Sequence, residues 1–200
     1  FVALIATLLA SIIGLPMGYW LATYRFPGRR IITTVLNTLL AMPTVVIGLI
    51  VYALISRRGP MGFLELLYTP NAMIIGETIL AIPIVAAFTL SAFRAVDSRI
   101  TETALTLGAT NTQTAWALIS EARFGIMAAI VAAFGRVIAE VGAAMMLGGN
   151  ISGSTRTMTT AIALESSKGE FGLAIALGII LLLTAFGANL LFHRLQGFDD

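Results

Sequence analysis

Two opposite charges one helical turn apart, Arg136 and Glu140, stand inside an otherwise apolar run and are the first candidates for chemistry in this chain. At this spacing they share a helix face, and charges at membrane depth are costly unless paired or turned toward a polar cavity. They suit a mutually neutralising pair that fixes packing and a pathway wall equally well. A second constellation is residues 149–157, where Asn150, Thr155 and Thr157 flank the single cation Arg156. An arginine among hydroxyls can coordinate an oxyanion by charge-assisted hydrogen bonds; the same residues also suit a polar hairpin capping two helices. The third is the polar island 101–110, with Glu102 and Thr103 ahead of Gly108. Catalysis has little to draw on. There is no cysteine, His193 has no serine partner at a matching depth, and no H-E-x-x-H occurs, so no catalytic residue, metal or cofactor is expected. The sequence G-x-x-x-x-G-K-[ST] is absent and the only lysine is Lys168, so the chain cannot cradle nucleotide phosphates itself.

The elements that must position these residues are lipid-embedded helices. Apolar residues make up 58% of the 200 and charged residues 11%, against about 25% charged in an average soluble domain. A bilayer core needs about 20 mostly apolar residues in a helix, and five stretches qualify: 1–24, 31–56, 72–93, 124–148 and 171–192. The chain begins with Phe inside an apolar run, so a sixth span is expected before residue 1. The whole of 1–200 reads as one transmembrane domain with short connections. Pro16, Pro43 and Pro83 should bend the first three spans, Glu77 should snorkel or be capped near the outward end of the third, and 63–68 should form a short surface helix. The basic loop Arg25, Arg29, Arg30 places that connection in the cytoplasm. Alternation then puts Arg94, Arg99, Arg123 and Arg194 on the same side, against Arg57, Arg58, Arg156 and Lys168 outside. With a formal charge of only +2 on a chain this apolar, no nucleic-acid partner is expected.

The cytoplasmic loop of about 95–123 predicts helix, turn, helix. Asp97 or Ser98 can cap the first helix, Gly108 falls where it would end in a left-handed residue, and Thr110 with Gln113 has capping-box spacing for the second. Ile100, Ala104 and Leu107 share one face of the first helix; Arg99, Glu102, Thr103 and Thr106 share the opposite one.

Glu102-Thr103-Ala104 followed by Gly108, in a cytoplasmic loop before the second-to-last span, resembles the "EAA" loop of ATP-binding-cassette (ABC) importer permeases. The family pattern has Glu-Ala-Ala at the start and Ile-x-Leu-Pro at the end, where this chain has Leu118-Ile119-Ser120-Glu121, so the exit into the next span should be shaped otherwise, by Gly125. Further resemblance, to molybdate and tungstate permeases, lies in residues 25–30, Gly59-Pro60-Met61-Gly62, Gly135-Arg136, residues 139–143, Gly149-Asn150-Ile151 and Thr155-Arg156-Thr157. Residues 161–165 and Lys168-Gly169-Glu170-Phe171 are most similar to the tungstate branch.

The resemblance implies an all-α polytopic bundle of the type I importer permease (MetI-like) fold in a prokaryotic cell membrane. It also implies an ATPase-docking surface at Glu102, Thr103, Ala104, Leu107, Gly108 and Ala109, with Arg136, Glu140, Asn150, Thr155, Arg156 and Thr157 as pathway candidates. The implied partners are a second copy of the chain, two ABC ATPase subunits and an extracytoplasmic oxyanion-binding protein. A dianion entering a cell negative inside works against roughly 4.6 kcal/mol per 100 mV, so accumulation needs coupling. The rival reading is a secondary transporter or channel without an ATPase, which would usually carry more intramembrane carboxylates.

Overall fold

A computed structural model of the chain describes residues 1–195, and among them the secondary structure is helical throughout. The helices are α1 (Val2–Thr23), α2 (Arg29–Leu40), α3 (Thr44–Ile55), α4 (Pro70–Ala95), α5 (Ser98–Thr106), α6 (Asn111–Ile138), α7 (Gly142–Gly148), α8 (Met158–Ser167) and α9 (Phe171–Leu195). Four of them, α1, α4, α6 and α9, are long and apolar enough to cross a membrane, and α2 with α3 makes a fifth span if the bent pair counts as one. The side chain of His193, on the last turns of α9, lies outside the described residues.

α4 is the central element, with most of its length buried, whereas α9 turns nearly all of its surface outward. The packing of α1 on α4 follows from a ladder of small residues every fourth position, Ala6, Ala10, Gly14 and Gly18, all buried. Without a hydrophobic drive between helices in lipid, such ladders let backbones approach and gain dispersion contacts. At Gly18 a Cβ would lie 2.7 Å from both the Ala86 carbonyl oxygen and Thr89 Cβ. Gly18→Val is therefore expected to separate α1 from α4 at a cost on the order of 3 kcal/mol. Gly135→Ala, where a Cβ would meet nothing within 4 Å, should leave the melting temperature of the purified protein unchanged. Equal melting of both variants would contradict this packing.

Three expectations need correction. The run 31–56 is broken rather than gently kinked, because α2 and α3 meet at 101° across Ala41 to Pro43. α2 carries Arg29, Arg30, Thr33, Thr34 and Asn37 and buries only Leu36. α3 alone rises about 18 Å, short of an apolar core of about 30 Å. The chain passes through Pro16 and Pro83 without interrupting α1 or α4, yet at Pro43 the helix restarts, with Pro43 itself as the cap of α3. The run 124–148 likewise divides, into the end of α6 and the short α7, at residues 139–141. The stretch 63–68 makes only the 3-10 turn Gly62–Leu64, followed by two left-handed non-glycine residues, Glu65 and Tyr68.

Candidate functional site

The first candidate site is the α5–α6 hairpin, and its shape is dictated residue by residue. Asp97 caps α5 by accepting the Arg99 N–H at 2.9 Å, and the Arg99 guanidinium pairs with its other oxygen at 2.6 Å. That hydrogen-bonded guanidinium holds the Asp97 carboxyl below the usual carboxylate range. The cap is thus present above the ordinary aspartate value and is lost only as pH falls through the lowered one.

At the other end the Ala109 N–H donates to the Ala104 carbonyl and the Gly108 N–H to the Leu105 carbonyl, both at 3.0 Å. With Gly108 at φ +79°, this is a Schellman termination, and a glycine adopts it without Cβ strain. Two residues on, Thr110 accepts the Gln113 N–H while Gln113 Oε1 accepts the Thr110 N–H at 2.8 Å, so α6 opens on a capping box.

Ile100 and Ala104 are half-buried against the bundle, while Glu102, Thr103 and Gly108 are exposed. Leu107 does not stay with Ile100 and Ala104: it lies past the last helical residue and is 82% exposed. Leu105 and Trp116 are exposed beside it. α6 has 28 residues and so spans about 42 Å, more than a bilayer core of about 30 Å. Gly125 does not shape an exit, since α6 runs straight through it; a Cβ there would meet the Ala92 Cβ of α4 at 2.5 Å, making it a point of close helix contact.

The second candidate site lies at the opposite end of α6. Arg136, in its last turn, donates to Glu140 Oε2 at 2.9 Å, and Glu140 Oε1 accepts the Ala143 N–H at 3.0 Å. Glu140 therefore belongs to the break after α6 and caps the restart in α7, a role beyond the shared helix face read from the sequence. The segment 149–157 is a largely exposed connection that caps two helices, Gly149 ending α7 and Thr157 opening α8, and it is anchored inward at Thr155. It folds back so that the Thr155 hydroxyl donates to the Gly148 carbonyl and Thr159 donates to the Glu140 carbonyl at 2.8 Å, with Thr155, Thr159 and Thr160 buried. Thr157 caps α8 through Thr160. Arg156 remains exposed and donates to Asn150 Oδ1 and to its carbonyl, each at 3.2 Å.

A cavity of about 530 Å³ gathers Glu140, Thr155, Arg156 and Thr157 with two residues the sequence reading did not group with them, Glu77 and Thr159. Glu77 does not snorkel. It is 3% exposed, and its Oε2 has no hydrogen-bond partner among the described residues. Thus α6 joins the two sites directly, with Asn111 at the hairpin and Val137 at the cavity, and Glu102 is remote from Glu140.

Helices of this order and span number, broken at two places and carrying an exposed helical hairpin, define a multi-pass permease subunit of the ABC-importer class. The inward-facing MetNI methionine ABC transporter has a chain of the same fold, at a TM-score of 0.77 and 18% identity over 98% of this chain and 89% of that one. The chain belongs to the family of binding-protein-dependent transport system inner membrane components, whose pattern covers residues 14–197. It is 42% identical to a probable anion ABC transporter permease protein of Haloferax volcanii, over 98% of this chain and 87% of that protein. It is 40% identical to the tungstate uptake system permease protein TupB of Peptoclostridium acidaminophilum, over 98% and 86%. A sulfate transport system permease, CysW of Synechocystis, is 26% identical over 96% and 74%.

Proposed function

We propose that this chain forms the membrane pathway for uptake of a tetrahedral metal oxyanion, tungstate or molybdate. Two copies would enclose the pathway, ATP would be hydrolysed on two separate ABC subunits, and a soluble oxyanion-binding protein would deliver the substrate outside. The observation that carries this reading is the identity of 40% and 42% to a tungstate permease and a probable anion permease, against 26% to a sulfate permease, each across nearly the whole chain. The docking surface for the ATPase is Glu102, Thr103, Ala104, Leu107, Gly108 and Ala109, on the exposed hairpin. Of the pathway candidates, Arg156 with Asn150 keeps an exposed guanidinium for the anion. The hydroxyls of Thr155 and Thr157 are engaged in holding the loop that presents it. Arg136 and Glu140 set the α6–α7 break behind that loop.

The test is uptake of labelled tungstate into proteoliposomes holding this chain, the ATPase and the binding protein. Uptake should require ATP and be competed more strongly by unlabelled tungstate than by sulfate; ATP-independent uptake would favour a secondary transporter. Orientation is tested separately. Thr106 and Ser154 are both exposed, and the chain has no cysteine of its own. In intact cells Ser154→Cys should react with an impermeant maleimide and Thr106→Cys should not. The reverse pattern would invert the topology and place the hairpin where no ATPase can reach it.

A further inference from the structure

Glu77 has a carboxylate oxygen that nothing among the described residues satisfies. The residue is 3% exposed on α4, and its Oε2 is unpartnered among the described residues while the side chain lines the 530 Å³ cavity. The neighbouring carboxylate is already occupied, because Glu140 accepts Arg136 on one oxygen and the Ala143 N–H on the other. Arg136 therefore balances Glu140 and leaves Glu77 unbalanced.

The remaining charged side chain lining the cavity is solvent-side: Arg156, from the loop, is exposed and tied to Asn150. An unpaired charge buried beside a like charge is among the costliest arrangements a protein interior holds. A water molecule would fill the lone pair and leave the charge, which a proton or a cation would remove; a proton uses one oxygen partner, whereas a cation uses several.

The wall around Glu77 supplies matching ligands, all of them oxygens. Thr159 gives its proton to the Glu140 carbonyl and so accepts from Thr157 at 2.8 Å, which leaves one lone pair on the Thr159 oxygen. Thr184 donates to Ile180 and keeps its lone pairs, and Ser154 also lines the space. Carboxylate and hydroxyl oxygens, without imidazole or thiolate, select hard cations. Divalent ions usually gather more than one free carboxylate, whereas a single uncompensated charge matches a monovalent one.

We propose that the cavity between α4, the α6–α7 break and the Thr157–Thr159 hydroxyls binds an alkali-metal cation, sodium or potassium, with Glu77 as its charged ligand. The proposal is independent of which anion the transporter carries. It is tested on the assembled transporter in nanodiscs at fixed pH and ionic strength, by melting curves in sodium, potassium or choline chloride. A saturable upward shift of a few degrees with one alkali cation over choline is expected. Glu77→Gln should abolish the cation dependence whatever its own melting temperature. Glu77→Asp, which keeps the charge on a shorter arm, should retain it with a half-saturating concentration several-fold higher. Equal curves in all three salts, or a cation response that survives Glu77→Gln, would overturn the proposal. So would a Glu77-dependent response to pH alone in choline, which would make the occupant a proton.

Discussion

Arg136→Ala is expected to be the most destructive single change at the cavity end of the bundle. Glu140 is 2% exposed on its side chain, and Arg136, at 43%, is the only guanidinium paired with it among the described residues. Removing one partner of a buried pair leaves an uncompensated charge and costs about 3–5 kcal/mol. The exposure of the arginine side puts this pair at the low end of that range. The loss falls on the α6–α7 break, since the same carboxylate caps α7 through Ala143 and its carbonyl anchors Thr159.

That double duty decides which second substitution rescues. Arg136→Ala/Glu140→Gln removes the stranded charge and keeps an oxygen for the Ala143 N–H, so it should recover most of the melting temperature and the assembly yield. Arg136→Ala/Glu140→Ala removes the cap as well and should recover less, by about 1 kcal/mol. Melting temperature and substrate uptake are read on all three. If the glutamine double variant is no more stable than Arg136→Ala, mutual neutralisation is not what the pair does. If it is fully stable and still transports nothing, Arg136 acts on the pathway itself.

What the sequence disclosed and what it concealed divide by the range of the deciding interactions. The caps at Asp97, Gly108 and Thr110 with Gln113 were legible because each is settled by groups within five residues of it. α1, α4 and α9 were legible from length and hydropathy alone. The breaks were not. Pro43 looks like Pro16 and Pro83 in sequence, and it differs in following a polar, two-sided α2 that cannot share a straight apolar span with α3. The division at residues 139–141 hides inside an apolar run because its stabilising bonds come from Ala143 and from Thr159, nineteen residues away. Glu77 reads as a snorkelling side chain as long as the elements covering it are unknown; those elements are the α6–α7 break and the returning loop, some sixty to eighty residues on. Leu107 was grouped on one face with Ile100 and Ala104 by helical periodicity, and periodicity stops with the helix at Thr106.

Gly108→Val and Glu102→Lys are expected to insert and fold like the parent and to lose the ATPase. A Cβ at Gly108 would meet no atom within 4 Å, so valine clashes with nothing in this chain. Its penalty is the left-handed backbone at φ +79°, about 1–2 kcal/mol, which a hairpin tip held by two caps can absorb by a local shift. A docked partner cannot absorb it so easily, because the shift moves exposed Leu107 and Leu105 and the branched side chain projects into whatever packs on the turn. Glu102→Lys changes nothing within the chain, where Glu102 is exposed and makes no ion pair among the described residues. It reverses the sign of the charge offered to a partner. Both variants should therefore show melting temperatures within a few degrees of the parent, a fall of tenfold or more in ATPase recovered on co-purification, and uptake reduced in proportion. Gly108→Ala, with the same backbone strain and a smaller side chain, should fall between valine and parent. Full retention of the ATPase and of uptake by both variants would reduce the hairpin to a helix resting at the membrane surface.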